Sequence, residues 1–152
     1  MTGERMVRLT AATDPLFAGA ALLVDEYRQH YGANPAPEAV ATWMREQVLA
    51  ARAQIHVAGR GDQAVGFCSV SVVPAALTLR TVWLIRDFYV APAVRRQGVG
   101  GALLRHVAHE ARQAGAHRLS LQTETANVRA IELYARHDFE VLTDVAVMDR
   151  LL

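Results

Sequence analysis

The sequence predicts a mixed α/β fold in which one twisted sheet is flanked by helices. Three observations predict it. Strand-like runs meet first as hairpins and later alternate with helical periodicities, the pattern of a sheet with antiparallel and parallel parts. The chain has 152 residues, 52% hydrophobic and 20% charged. That is enough for one core and far from the composition of a disordered segment. Finally, a glycine-rich turn stands between the longest apolar strand and a strongly amphipathic helix. The expected order is β-α-α-β-β-β-α-β-α-β-β, in a single domain spanning residues 1–152.

Met6 to Thr10 alternates and reads as a short first strand. Asp14-Pro15 supplies a cap followed by a proline suited to a first helical turn. From there Leu16, Phe17, Ala20, Leu23, Val24 and Tyr27 recur at helical spacing as far as about His30, with Gly32 as the stop. Glu38 to Arg52 forms a second helix that turns Val40, Trp43, Met44 and Val48 inward. Ile55 to Ala58 and Ala64 to Val73 form a hairpin around Gly59-Arg60-Gly61-Asp62. Leu79 to Val90 is a longer strand closed by Pro92. Gly98 to Gln113 carries Leu103, Leu104, Val107 and Ala111 on one face and stops at Gly115. Arg118 to Thr123 is a strand, Asn127 caps a helix through Arg136, and Phe139–Leu142 and Val145–Leu151 read as two closing strands.

Composition removes several classes of function. Sixteen basic residues face fifteen acidic ones, for a formal net charge of +1. The arginines are spread along the chain, so a nucleic-acid partner is not expected. Every basic residue is Arg; with no Lys, Schiff-base catalysis and the lysine of a P-loop are excluded. The single Cys68 has no disulfide partner and sits in an apolar strand, as a core thiol does. The longest apolar run, Leu16 to Val24, is far too short to span a bilayer, and no signal peptide is visible. The expectation is a cytoplasmic domain with no membrane partner.

Chemistry concentrates in Arg95-Arg96-Gln97-Gly98-Val99-Gly100-Gly101. Glycines at a helix start let a ligand approach the backbone, where unpaired N–H groups and the helix dipole favour phosphate. The arginines add forked, charged donors. A diphosphate is the natural guest. The dinucleotide fingerprint fails because its third glycine position is Leu103, leaving R-x-x-G-x-G after a strand ending V-x-P.

These blocks, Asp87-Phe88-Tyr89-Val90-Ala91-Pro92, Arg95 to Gly100, and Asn127, Ala130, Leu133-Tyr134 with Phe139, resemble the GNAT superfamily of acetyl-CoA-dependent N-acetyltransferases. The resemblance covers residues 80–140 well and the N-terminal half by element order. It implies a GNAT-like sheet and acetyl-CoA as co-substrate, without a metal. The diphosphate of coenzyme A would lie on Arg95, Arg96 and the backbone of Gln97, Gly98, Val99, Gly100 and Gly101. Phe88, Tyr89 and Val90 would run along its pantetheine arm, and Asn127 would touch the cofactor as well as cap its helix. Tyr134 matches the tyrosine that protonates the leaving thiolate; from periodicity alone it reads as a core side chain of the Ala130-Ile131 face, and the resemblance reverses that. Two departures stand out. The usual Leu-Gly-Phe after that helix is His137-Asp138-Phe139, which predicts a looser helix end. Where diamine-specific members carry a general-base Glu, this chain has Arg86.

The acceptor is expected to be a small-molecule or protein amine, held by the first two helices. Glu26, Tyr27 and Tyr31 are the candidate contacts, together with Asp25 and Trp43, since aromatics with acids suit an ammonium. Asp87 is the candidate that orients or deprotonates it; ion pairing with an arginine is the equally weighted structural role. Arg86, a charge in an apolar strand, is expected to be paired. His106, His109 and Glu110 lack the H-E-x-x-H order and read as a solvated helix surface; Glu124 reads either as cleft or as surface. A non-catalytic coenzyme A-binding sensor or scaffold is the rival function, and the chain leaves room for a homodimer.

Overall fold

A computed structural model describes residues 3–152. The described chain forms two compact units, the first ending at Gln122 and the second running Thr123–Leu152. In the first, β1 (Arg5–Arg8), β2 (Gln54–Arg60), β3 (Gln63–Ala75), β4 (Arg80–Val90) and β5 (Arg118–Leu121) make one sheet in the order β1-β2-β3-β4-β5. The first four strands pair antiparallel, and β5 joins β4 in parallel. The mixed α/β architecture expected from the sequence is therefore the observed one. Its helices are α1 (Phe17–His30), α2 (Pro37–Leu49) and α3 (Val99–Gln113).

Side chains on a strand point alternately to the two faces, so each strand feeds two cores. Ile55, Val57, Phe67 and Tyr89 pack with Leu16, Phe17, Ala20, Val24, Val40 and Met44 under α1 and α2. Ala58 and Val65 pack instead with Val99 at the start of α3. His56, on that same side of β2, meets His106 of α3 with 3.2 Å between ring nitrogens. The lone Cys68 is fully buried, and desolvation pushes its thiol well above the usual range. Among the described residues no helix is long and apolar enough to cross a membrane, and no cluster of three His, Cys, Asp or Glu could hold a metal.

Several boundaries move. Asp14 does not cap α1: its Oδ1 accepts from Leu16 N at 2.9 Å in a tight turn, and the helix begins later, at Phe17. Helix α2 ends at Leu49 rather than Arg52, where Ala51 takes a left-handed φ of 52°. Gly115 sits at φ 74° beyond α3, as a C-terminal stop should.

The second unit holds α4 (Val128–Ala135), capped by Asn127, whose Oδ1 accepts from Ala130 N at 3.3 Å. Asp138 adopts φ 66° and Phe139 N donates to the Tyr134 carbonyl at 3.1 Å, so this helix closes normally without glycine. Here the expectation of two closing strands is corrected: no strand follows α4 among the described residues. The alternation is present, but Thr143-Asp144 cannot readily supply the two positive φ angles of a tight hairpin turn. The segment remains irregular, with Val141, Leu142, Val145, Val147 and Met148 exposed.

Candidate active site

The register of β3 against β4 decides which side chains meet. Ser69 faces Asp87, but the next pair is Val70 with Ile85, so Arg86 is an extra residue, a bulge. One inserted residue reverses the alternation. Trp83 and Ile85 lie on the α3 side of the sheet, whereas Asp87 and Tyr89 face α1 and α2. Arg86 itself is exposed, and no ion pair to it forms among the described residues. The expected pairing of Arg86 is thus corrected: at a bulge its charge reaches water and needs no partner.

Asp87 opens into a cavity of about 510 Å³. Val24, Tyr27 and Arg28 of α1 form one wall, and Ala36 with Ala39, Val40 and Trp43 of α2 form another. The floor is Ile55, Phe67 and Ser69 of the sheet. Ser69 Oγ donates a short hydrogen bond to Asp87 Oδ2, so among the described residues a hydroxyl, and no arginine, fixes the carboxylate. Ser69 and Arg28 were not apparent as site residues from sequence. The signal for Ser69 was cross-strand register, which single-strand patterning does not contain.

Not every candidate meets here. Tyr27 lines the cavity and stacks edge-on against Phe67, with ring centroids 5.6 Å apart. Glu26 lies outside the lining and accepts from the Tyr89 hydroxyl at 3.0 Å. Burial and that bond push the Tyr89 phenol above its ordinary value. Tyr31 is also outside the lining, largely exposed, and packs edge-on against Tyr27. Asp25 is buried and already engaged. Its Oδ1 accepts from Arg28 Nη1 at 2.9 Å and from Ala36 N at 3.0 Å, and its Oδ2 from Gln29 Nε2 at 3.3 Å.

At the end of β4 the chain passes a 3₁₀ turn, Pro92–Val94, and enters α3 through Gly98 at φ 85°. That angle is left-handed and suits glycine. The first N–H bonded within the helix is that of Ala102, to the Gly98 carbonyl at 3.0 Å. The amides of Val99, Gly100 and Gly101 therefore point out of the helix start as a group of donors. Gln97 is held from β2: its Oε1 accepts from Arg60 Nη1 at 3.1 Å, while Arg60 pairs with Glu4. Arg95 folds back, donating Nε to the Val90 carbonyl at 2.9 Å with its guanidinium 5.3 Å from the Tyr89 ring centre. Arg96 is exposed. A left-handed glycine, three amides and exposed guanidinium groups fit an anionic diphosphate.

Phe88 and Val90 continue β4 on the sheet face opposite Asp87 and Tyr89. Asn127 and Tyr134 belong to the second unit, where the Tyr134 ring lies 5.8 Å from that of Phe139. Glu124 there is exposed.

The sequence pattern of the acetyltransferase (GNAT) family matches residues 20–139. An uncharacterized N-acetyltransferase, YhfO, of Bacillus subtilis (strain 168) is 27% identical over 123 residues, covering 81% of this chain and 83% of that protein. An aminoglycoside N(6')-acetyltransferase type 1 of Klebsiella aerogenes is 27% identical over 108 residues, 70% of this chain and 71% of its own. The crystal structure of a probable acetyltransferase superposes with a TM-score of 0.88 at 27% identity, covering 97% of each chain.

Proposed function

From the premise that this chain belongs to the acetyltransferase (GNAT) family, we propose that it transfers the acetyl group of acetyl-CoA to a primary amine by direct attack. The observation that carries the reading is the disposition of β4. Its bulge turns Asp87 into a cavity, and its C-terminal end runs into a phosphate-suited helix start. The chain has no Lys, and its one thiol is buried and resists ionisation, so neither a lysine nor a thiolate offers a covalent enzyme intermediate.

When bound, acetyl-CoA supplies an activated thioester. Arg95, Arg96 and the amides of Val99, Gly100 and Gly101 hold its diphosphate, while the backbone of Phe88, Tyr89 and Val90 receives the pantetheine arm. Asn127 adds a polar contact beside its capping role. An ammonium ion with pKa near 10.4 must first become neutral, at about 4.6 kcal/mol at pH 7. Asp87, with Oδ2 fixed by Ser69, offers Oδ1 to that cation and takes its proton, directly or through water. The amine nitrogen then bonds to the acyl carbon as the carbon–sulfur bond breaks. Tyr134 gives its phenolic proton to the departing thiolate, and the second proton that the nitrogen sheds on becoming an amide returns to the phenolate through water, while Asp87 releases its proton to solvent.

Release of free thiol from acetyl-CoA with a panel of amines tests the reading, alongside calorimetric titration of acetyl-CoA. Tyr134→Phe keeps the ring and removes the proton donor. Its turnover should fall about 10²–10⁴-fold with cofactor affinity retained. Cofactor binding without thiol release for any amine would identify a coenzyme A-binding module instead.

A further inference from the structure

We infer that the acceptor is an amphipathic monoamine, one ammonium group on an aromatic or aliphatic body, rather than a polycationic sugar. The inference rests on the acetyltransferase reading and names the substrate class of its cavity. Across that lining only Asp87 and Arg28 carry charge, and their formal charges cancel. Arg28 is committed to Asp25 and to the Asn34 carbonyl. The nearby carboxylate of Glu26 is turned toward the Tyr89 hydroxyl. One carboxylate is therefore available, sufficient for one cation. A second or third ammonium inside the same walls would be desolvated with no counter-charge.

The remaining walls are apolar. Tyr27, Trp43 and Phe67 offer aromatic surface, and Val24, Val40 and Ile55 aliphatic surface. A hydroxyl-rich ring placed there would lose more water than it gains partners, since most of the lining is apolar and Ser69 already donates its proton to Asp87. An alkyl or aryl body gains from each group it buries, by roughly fourfold in affinity per methylene. Trp43, 45% exposed, lines the cavity and offers its indole face to a ring that enters.

The experiment compares kcat/KM across n-alkylamines of increasing length, 2-phenylethylamine, α,ω-diamines of matching length, and kanamycin, with acetyl-CoA saturating. The expected result is a rise along the alkylamines, with 2-phenylethylamine among the best. Replacing the terminal methyl by a second ammonium should cost at least about tenfold. Trp43→Ala should lower kcat/KM for 2-phenylethylamine about tenfold and that for ethylamine little, with acetyl-CoA affinity unchanged. Equal or better turnover of diamines or kanamycin overturns the inference but leaves the acetyltransferase reading standing. Thiol release with none of the amines overturns both. A Trp43→Ala loss equal for small and large amines also overturns it, because the wall would then act only structurally.

Discussion

Under α1 and α2 the sheet presents Ser69, Asp87 and a cavity of about 510 Å³, whereas under α3 it presents His56, Cys68 and Trp83 in a closed interior. The difference begins in the helices. One continuous apolar stripe, Val99, Leu103, Leu104, Val107 and Ala111, lays α3 flat on its face and fills it. On the other side two helices are joined through Pro35 and Pro37, and they and the sheet line the cavity. Polar groups are treated accordingly. His56 is buried with both ring nitrogens satisfied, by His106 and by Gln54 Oε1 at 3.0 Å. Asp87 instead lines the cavity with one oxygen bonded to Ser69. A fully bonded buried group contributes to the fold; a half-bonded one at a cavity is available for chemistry.

That contrast breaks most visibly at Asp87. Asp87→Asn keeps the shape and removes the proton acceptor, so kcat/KM should fall about 10²-fold at pH 7. The deficit should shrink as pH approaches the acceptor's own pKa, because the amine then arrives neutral. Urea unfolding of the variant should match wild type. A loss uniform across pH, or a destabilised protein, would move Asp87 to the structural side of the comparison.

On the α3 face the expected effect is on stability alone. Burial, chiefly, and the neighbouring His106 lower the His56 pKa from 6.5 to about 3. With the folded value depressed, the unfolded chain takes up the proton first. Stability is therefore full above pH 6.5 and is lost as pH falls toward 3. Between pH 7.5 and 5 this single group removes about 2 kcal/mol. His106, lowered mainly by desolvation, acts with the same sign. His56→Leu should flatten this part of the urea-stability profile while KM for the amine stays unchanged. An unaltered slope would show that other groups carry the acid sensitivity.

The two faces also differ in how much of them could be seen in the sequence. The stripe of α3, the glycine at its start, the turn at Gly61-Asp62 and the Gly115 stop are local properties, set by neighbours within a turn or two. The cavity is not local. Nothing in Trp83 to Tyr89 announces that Arg86 is a bulge, yet that one residue moves Asp87 to the opposite face from Ile85. Tyr27 and Trp43 were apparent as aromatics on two helices, and both line the cavity. Glu26 comes from the same helical turn, but its rotation about α1 takes it to the Tyr89 hydroxyl, while Tyr31 lies past the end of α1 against Tyr27. Alternation in Val141 to Leu151 was equally plain, and alternation alone does not provide a partner strand.

Asp25 is where a small effect would sharpen the comparison most. It is buried like His56 and, like His56, fully engaged, but on the cavity face. Its oxygens tie Arg28 and the Ala36 amide together across the α1–α2 connection, and both of those residues line the cavity. Asn at this position keeps one acceptor oxygen and loses the charge that holds Arg28. Hydrogen bonds to a charged group are worth about 1.5–3 kcal/mol, and the retained oxygen keeps part of that, so a loss of about 1 kcal/mol in stability is expected. A purely structural residue would stop there. If Asp25 positions the wall, Asp25→Asn should also raise KM for the amine about three- to tenfold. In that case kcat and the KM for acetyl-CoA should change less than twofold, because neither Asp87 nor the α3 turn depends on the connection. Equal changes in both KM values would show a general loosening of the domain, and Asp25 would then belong with His56.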